Sequence, residues 1–459
     1  MLNFWDFNVW GMFNLIATLL LSLLVANTLK RKIRFLKDSL IPISVLGGAL
    51  LIIVAWIYKL ITGNVMFDTK FFGGNGTAEL EIITYHCLAL GFIASTFRKS
   101  EGKVTKERAG EVLNTGVTTV ATYVLQGIVG IVITLVATIF VKDFFPAAGA
   151  ILPFGYGQGT GQALNYGTIY ETDYGFVGGR TFGLTIAALG FISAAVGGII
   201  HLAYLKAKGY ACNRGEDKRL NSIEIEAENE IPMQESMDKL TVQVALIALA
   251  YFMTYLIMAG LGKLIPSMKS LIYGFNFLLG VLSTIIIKAI MNFLHKKKIM
   301  KREYTNNFLM TRTSNFFYDV MIVSGVAAIR LNELKKYWGI LLILGVAGFV
   351  ITFVYNRFVA KKLFPDYAEE QFMVMFGMLT GTASTGIILL REIDGDFKTP
   401  AADNLVYQNF PAIVLGFPMM IVATMAPKNP PLTIGVLVVY FIILNVILFR
   451  KQIFKRKKK

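Results

Sequence analysis

The sequence predicts an all-α polytopic membrane protein: about eleven transmembrane helices in two inverted five-helix repeats, each with a re-entrant glycine-rich loop, plus one extra C-terminal helix. Three observations predict it. Many apolar runs reach the roughly 20 residues that span a bilayer, in a chain of 459 residues that is 55% hydrophobic. The net charge of +16 sits mainly in short loops between those runs, as the positive-inside rule requires. Two glycine-rich stretches in the two halves echo each other, and paired interruptions of this kind mark transporter binding sites.

Taken in order, the first run, 9–29, ends in Lys30, Arg31, Lys32, Arg34 and Lys37, which puts its C-terminal end in the cytoplasm and the N-terminus outside. Runs at 43–62 and 82–97 follow, the latter leading into the inner basic loop Arg98, Lys99, Lys103, Lys106 and Arg108. Runs 112–141 and 176–205 flank the first glycine stretch and complete an N-terminal repeat, 1–206. The segment 207–239 is a charged cytoplasmic linker with no site. The second repeat, 240–426, has runs at 240–264, 271–294, 308–329, 338–360 and 405–425. Its basic inner loop is Lys296, Lys297, Lys298, Lys301 and Arg302. Residues 427–459 add an eleventh helix, 432–449, and a basic cytoplasmic tail. Met1–Trp10 carries Asp6 and no Lys or Arg, unlike a cleaved signal. Cys87 and Cys212 fall in different settings, so no structural disulfide is expected.

The first glycine stretch runs Phe154-Gly155-Tyr156-Gly157-Gln158-Gly159-Thr160-Gly161-Gln162-Ala163. The second runs Phe376-Gly377-Met378-Leu379-Thr380-Gly381-Thr382-Ala383-Ser384-Thr385-Gly386. Both read Phe-Gly, three residues, Gly-Thr, and Phe145-Pro146 upstream is matched by Phe364-Pro365. This is an internal duplication, with re-entrant loops expected at 147–168 and 370–390. Such polar backbone cannot face lipid and must be buried in protein or line a wet cavity. The bland alternative is a small-residue packing surface between helices. The charge pattern has the two stretches enter from opposite faces.

These residues carry a resemblance to the glutamate:sodium symporter family of bacterial carriers. The likeness runs from about Leu20 to about Phe417. It includes Phe35-Leu36-Lys37, Ile41-Pro42, Val45 with Gly47-Gly48, Gly157-Gln158-Gly159-Thr160-Gly161, Ile329 through Leu334, and Pro411. The resemblance implies two inverted halves, paired re-entrant loops and sodium-coupled uptake of an acidic amino acid. Tyr156-Gly157-Gln158 stand where the family carries a His and a further Gly, and the second stretch is richer in Thr and Ser. The resemblance implies glutamate as the lead substrate, and these departures at the loop tips leave another carboxylate as the alternative.

An anionic substrate needs donors. Short helices offer N-terminal N–H groups, and glycine lets a ligand approach them. The expected substrate contacts are Gly157, Gln158, Gly159, Thr160, Gly161, Thr380, Gly381, Thr382, Ser384 and Thr385. Arg391 either reaches a substrate carboxylate or is a cytoplasmic positive-inside residue. Gln408 and Asn409, near Pro411, are polar glue between helices or ligand contacts. Sodium wants hard oxygen ligands, with Asp319, Thr160 and Thr382 as candidates. Asp319 lies deep in the eighth run and is either functional or paired structurally near Asn315. Sodium is the coupling ion, no other cofactor is expected, and a homodimer in a cell membrane is the expected assembly.

Three rival functions weigh less. A carrier of 2-hydroxycarboxylates or other organic anions would share the design. A channel filter needs a ring of carbonyls around one pore. A membrane enzyme or nucleotide binder would need the Lys-Ser/Thr pair that is absent after Gly155-x-Gly157-x-Gly159. Nucleic-acid binding is not needed to explain the charge.

Overall fold

The computed structural model describes residues 3–98, 106–210, 230–233, 237–395 and 397–453. The expected linker falls mostly outside them, as does Cys212. Among the described residues the regular structure is helical apart from one isolated bridge between Glu230 and Glu303. Nine of the described helices are long and apolar enough to cross a membrane, or ten if one bent pair counts as a single span.

In chain order these elements are α1 (Phe7–Lys32), α2 (Arg34–Asp38), α3 (Ile43–Thr62), α4 (Gly76–Phe97), α5 (Lys106–Phe140), α6 (Leu152–Tyr174) and α7 (Gly179–Ala207). After the linker come α8 (Lys239–Leu264), α9 (Lys269–Gly274), α10 (Asn276–Lys296), α11 (Asn307–Ala327) and α12 (Trp338–Leu363). The last are α13 (Ala368–Thr380), α14 (Ala383–Arg391), α15 (Ala401–Tyr407), α16 (Asn409–Met425), α17 (Pro430–Leu448) and the short α18 (Arg450–Ile453).

Two expected spans differ in detail. The eighth run is a helix of 21 residues, α11, but Arg312, Asn315 and Asp319 keep it outside the strongly apolar set. The tenth is bent by 54° between α15 and the stretch Pro411–Met425, because Pro411 has no N–H for the carbonyl four residues back, in α15, and its ring crowds that carbonyl. Pro430 and Pro431 belong to the first turn of α17, where a missing N–H costs nothing, and the Asn429 side chain accepts from Leu432 N at 3.1 Å.

The chain divides into two compact units: residues 1–20, 54–102 and 217–327, and residues 21–53, 103–216 and 328–459. In the first, α4 lies on α11, with Gly91 against the Tyr318 ring. Hydroxyl pairs join them, Thr84 to Ser324 at 2.9 Å and Ser95 to Ser314 at 2.6 Å. Its core is built from Ile93, Ala94, Phe97, Ile247, Ala250, Ile287 and Met310. The buried Lys239 is paired with Glu230 at 2.8 Å.

The second unit forms around α5, a helix of 35 residues that touches α6, α12, α16 and α17. A second core, with Leu202, Leu205, Phe372, Met373, Phe376 and Leu389, joins α7, α13 and α14. Both glycine stretches belong to this unit.

Candidate functional site: two broken helices backed by one

The first glycine stretch is helical, with one interruption. After a 3-10 turn at Ala148–Ile151, α6 runs to Gly159, whose φ of 78° and ψ of −170° break it. An L side chain is strained there, and glycine is not. The chain then folds back. The Phe154 and Tyr166 rings stack with centroids 3.6 Å apart, whereas twelve residues of straight helix would separate them by roughly 18 Å. Tyr166 and Tyr170 donate to the carbonyls of Met420 and Ala423 at 2.7 and 2.6 Å, tying the returning limb to α16.

The second stretch repeats the design. Its helix α13 ends at Thr380, Gly381 and Thr382 are non-helical, and α14 begins at Ala383. Thr382 caps the new limb by accepting from Thr385 N. This limb also folds back: a Cβ on Gly377 would come within 2.8 Å of Gly386 Cα. The start of α13 is fixed by charge. Glu369 accepts from His201 at 2.8 Å and from Arg357. Burial pushes its carboxyl up, but those hydrogen bonds and the Arg357 charge outweigh burial and hold it down at about 2.

The breaks fall on matching residues, Gly159-Thr160 and Gly381-Thr382. A break orphans the last carbonyls of the first limb, and α5 supplies donors to both. The Tyr123 hydroxyl donates to Gly157 O at 2.9 Å, and Gln126 Nε2 donates to Leu379 O at 3.0 Å. Gly157 and Leu379 each stand two residues before the breaking glycine, and Tyr123 and Gln126 are neighbours on one helix face. Gly190 of α7 also touches both hairpins: a Cβ there would lie 2.5 Å from Thr380 O and 3.3 Å from Tyr156 Cα.

The expected contacts are thus brought together in one unit, with unequal access. Gly157, Gly159, Thr160, Gly161, Thr380, Gly381 and Thr385 are buried, Gln158 and Thr382 are half-buried, and Ser384 is exposed. Arg391 sits at the far end of α14, its guanidinium 5.6 Å over the Phe397 ring. Asp319 is an exposed residue of the other unit. Gln408 joins two helices: Thr119 donates to it at 2.9 Å from α5. Reading the sequence did not single out Tyr123, Gln126 or Asn356. For Gln126 the signal was present in α5, where Thr115, Thr118, Thr119, Thr122 and Gln126 recur at helical spacing in an apolar run.

Chemically, each hairpin offers the first N–H groups of a short helix, with a Thr at the break and buried surroundings. Such a pair suits an anion with a counter-charge nearby. A family model described as sodium/glutamate symporter matches residues 10–383, which takes in the whole first hairpin and reaches the first residue of α14. A search of the curated proteins finds no match.

Proposed function

The chain belongs to the sodium/glutamate symporter family, and from that premise we propose that it takes up glutamate by alternating access, with substrate held between the tips of the two helical hairpins. Family membership implies a multi-pass transporter that couples glutamate to sodium, rather than an enzyme. The observation that carries the finer reading is the pair of helix breaks at equivalent Gly-Thr residues, both backed by α5.

In this reading the hairpins are re-entrant and belong to two inverted repeats, 1–206 and 240–426. The division into units supports it. The counterparts α5, α6 and α7 of the first half and α12 to α16 of the second fall in one unit and α4 and α8 to α11 in the other, while α1 and α3 each contribute residues to both. Substrate carboxylates meet the N–H groups of Thr160–Gly161 and Ala383–Thr385, with Gln158, Thr382 and Ser384 as side-chain partners. The N-terminus faces outside, the basic tail faces the cytoplasm, and two copies assemble as a homodimer. Arg391 contributes to the inner positive charge rather than to the ligand.

The test is uptake of labelled glutamate into proteoliposomes. An inward sodium gradient is expected to drive accumulation. Equal accumulation with potassium replacing sodium would refute the coupling, and counterflow by a 2-hydroxycarboxylate but not glutamate would refute the substrate.

A further inference from the structure

We infer that a monovalent cation is held between α5 and α12 by the amide oxygens of Gln126 and Asn356. Two orphaned atoms point to it. Gln126 Oε1 and Asn356 Oδ1 are both buried without a hydrogen-bond partner, on side chains that are 0% and 1% exposed. Their orientation is fixed. Gln126 Nε2 donates to Leu379 O at 3.0 Å and to Thr352 Oγ1 at 2.8 Å. Asn356 Nδ2 donates to Thr352 O at 2.9 Å and to Thr122 Oγ1 at 3.3 Å. Turning either amide would set its oxygen against a backbone carbonyl, which has no proton to give. The oxygens are therefore the ends left bare.

The four residues form one cluster. Thr122 and Gln126 are one turn apart on α5, Thr352 and Asn356 one turn apart on α12, and both amides grip Thr352. An orphaned buried acceptor is destabilising, and two on facing helices in one cluster call for a shared ligand. Only a donor or a cation can satisfy them. Hard cations take oxygen ligands, and divalent ions recruit carboxylates. The cluster is amide, hydroxyl and carbonyl throughout, with no formal charge, so the fitting ion is monovalent. It differs from the ligands expected from sequence, Asp319, Thr160 and Thr382. The link to transport rests on the proposed function: Gln126 also holds Leu379, two residues before the second break, so an ion on its oxygen stiffens the amide that anchors that hairpin.

The experiment is thermal unfolding of the full-length protein in detergent, titrated with sodium chloride against choline chloride at constant ionic strength. Sodium is expected to raise the wild-type midpoint and choline is not, since an ion that binds only the folded state stabilises it. Gln126→Leu and Asn356→Leu should each raise the half-saturating sodium concentration at least tenfold. Asn404→Leu removes another bare buried amide oxygen, one whose nitrogen faces Tyr367 and Gln371, and should keep the wild-type response. If the two leucine variants do not fold, Thr352→Val, which removes the hydroxyl under Gln126, should still raise half-saturation several-fold. Equal action of sodium and choline on wild type overturns the site; with only a water between the amides, any sodium effect would come from elsewhere in the protein and the variants would keep the wild-type half-saturation. An unshifted half-saturation in the variants, or an equal loss in Asn404→Leu, also overturns it. The readout uses no glutamate, so it is independent of the substrate assignment. Sodium-driven glutamate uptake with unshifted sodium dependence in the variants would remove this site alone.

Discussion

The two hairpins share a Gly-Thr break yet differ in how it is made. The first turns on a single residue, Gly159, in a backbone region that favours glycine, and Thr160 behind it is fully buried. The second spreads its break over Gly381 and Thr382, neither with positive φ, and leaves Ser384 exposed beyond the cap. Matching Gly-Thr breaks thus give one sealed hairpin and one with an open tip. On the proposed function, the sealed one would serve as a fixed wall and the open one would be where a ligand first meets the protein.

The largest test of that contrast is substitution at the breaking glycines. Gly159→Val should abolish glutamate uptake, because its φ of 78° strains any L residue. Gly381→Ala meets the movable Thr385 hydroxyl at 2.9 Å, so it should lower uptake while the protein stays folded. Gly381→Val should abolish substrate binding by blocking approach to the backbone. Normal transport by Gly381→Val would reduce the second stretch to a packing surface.

Next come the supports on the first hairpin. Tyr123→Phe leaves Gly157 O buried without its donor, a loss of about 1–3 kcal/mol expected as a lower unfolding midpoint and weaker uptake. Thr160→Ala and Thr382→Ala should each weaken sodium or substrate affinity by about 1–3 kcal/mol, measured as shifts in half-saturation. With the second tip open and the first sealed, Thr382→Ala acts mainly on substrate. Equal effects on both ligands from both variants would erase the contrast.

A smaller effect is expected at the base of the second hairpin. The Glu369 carboxyl is held down at about 2, against an ordinary value near 4.5. Its folded pKa is depressed, so its stabilising contribution is present above the ordinary value and is lost as pH falls from there towards about 2. Glu369→Gln should flatten that acid-side loss of stability in a pH series of unfolding midpoints. An unchanged profile would show that the His201–Glu369–Arg357 cluster does not set it.

Much of this was legible in the sequence. Apolar length and basic loops are direct consequences of the bilayer, so the spans could be read from composition. The Gly-Thr repeat located both breaks, because departure from helix at membrane depth demands residues that tolerate it. What stayed hidden was non-local. Nothing adjacent to Gly157 or Leu379 announces that Tyr123 and Gln126, more than 30 residues earlier than the nearer one, supply their donors. α11 was read as a span like the others, though its Arg312 and Asp319 set it apart. Arg391 looked adjacent to the site in sequence, but α14 carries it to the opposite end of a helix of nine residues.

Contact of both hairpin tips with one bound substrate is tested most directly by single cysteines at Gln158 and Ser384, in a chain with Cys87 and Cys212 replaced by Ser. The measurement is their rate of reaction with a small thiol reagent. Saturating glutamate plus sodium should slow modification at both positions, by similar factors and with the same half-saturating glutamate. Protection of one position with the other unaffected would contradict a shared site.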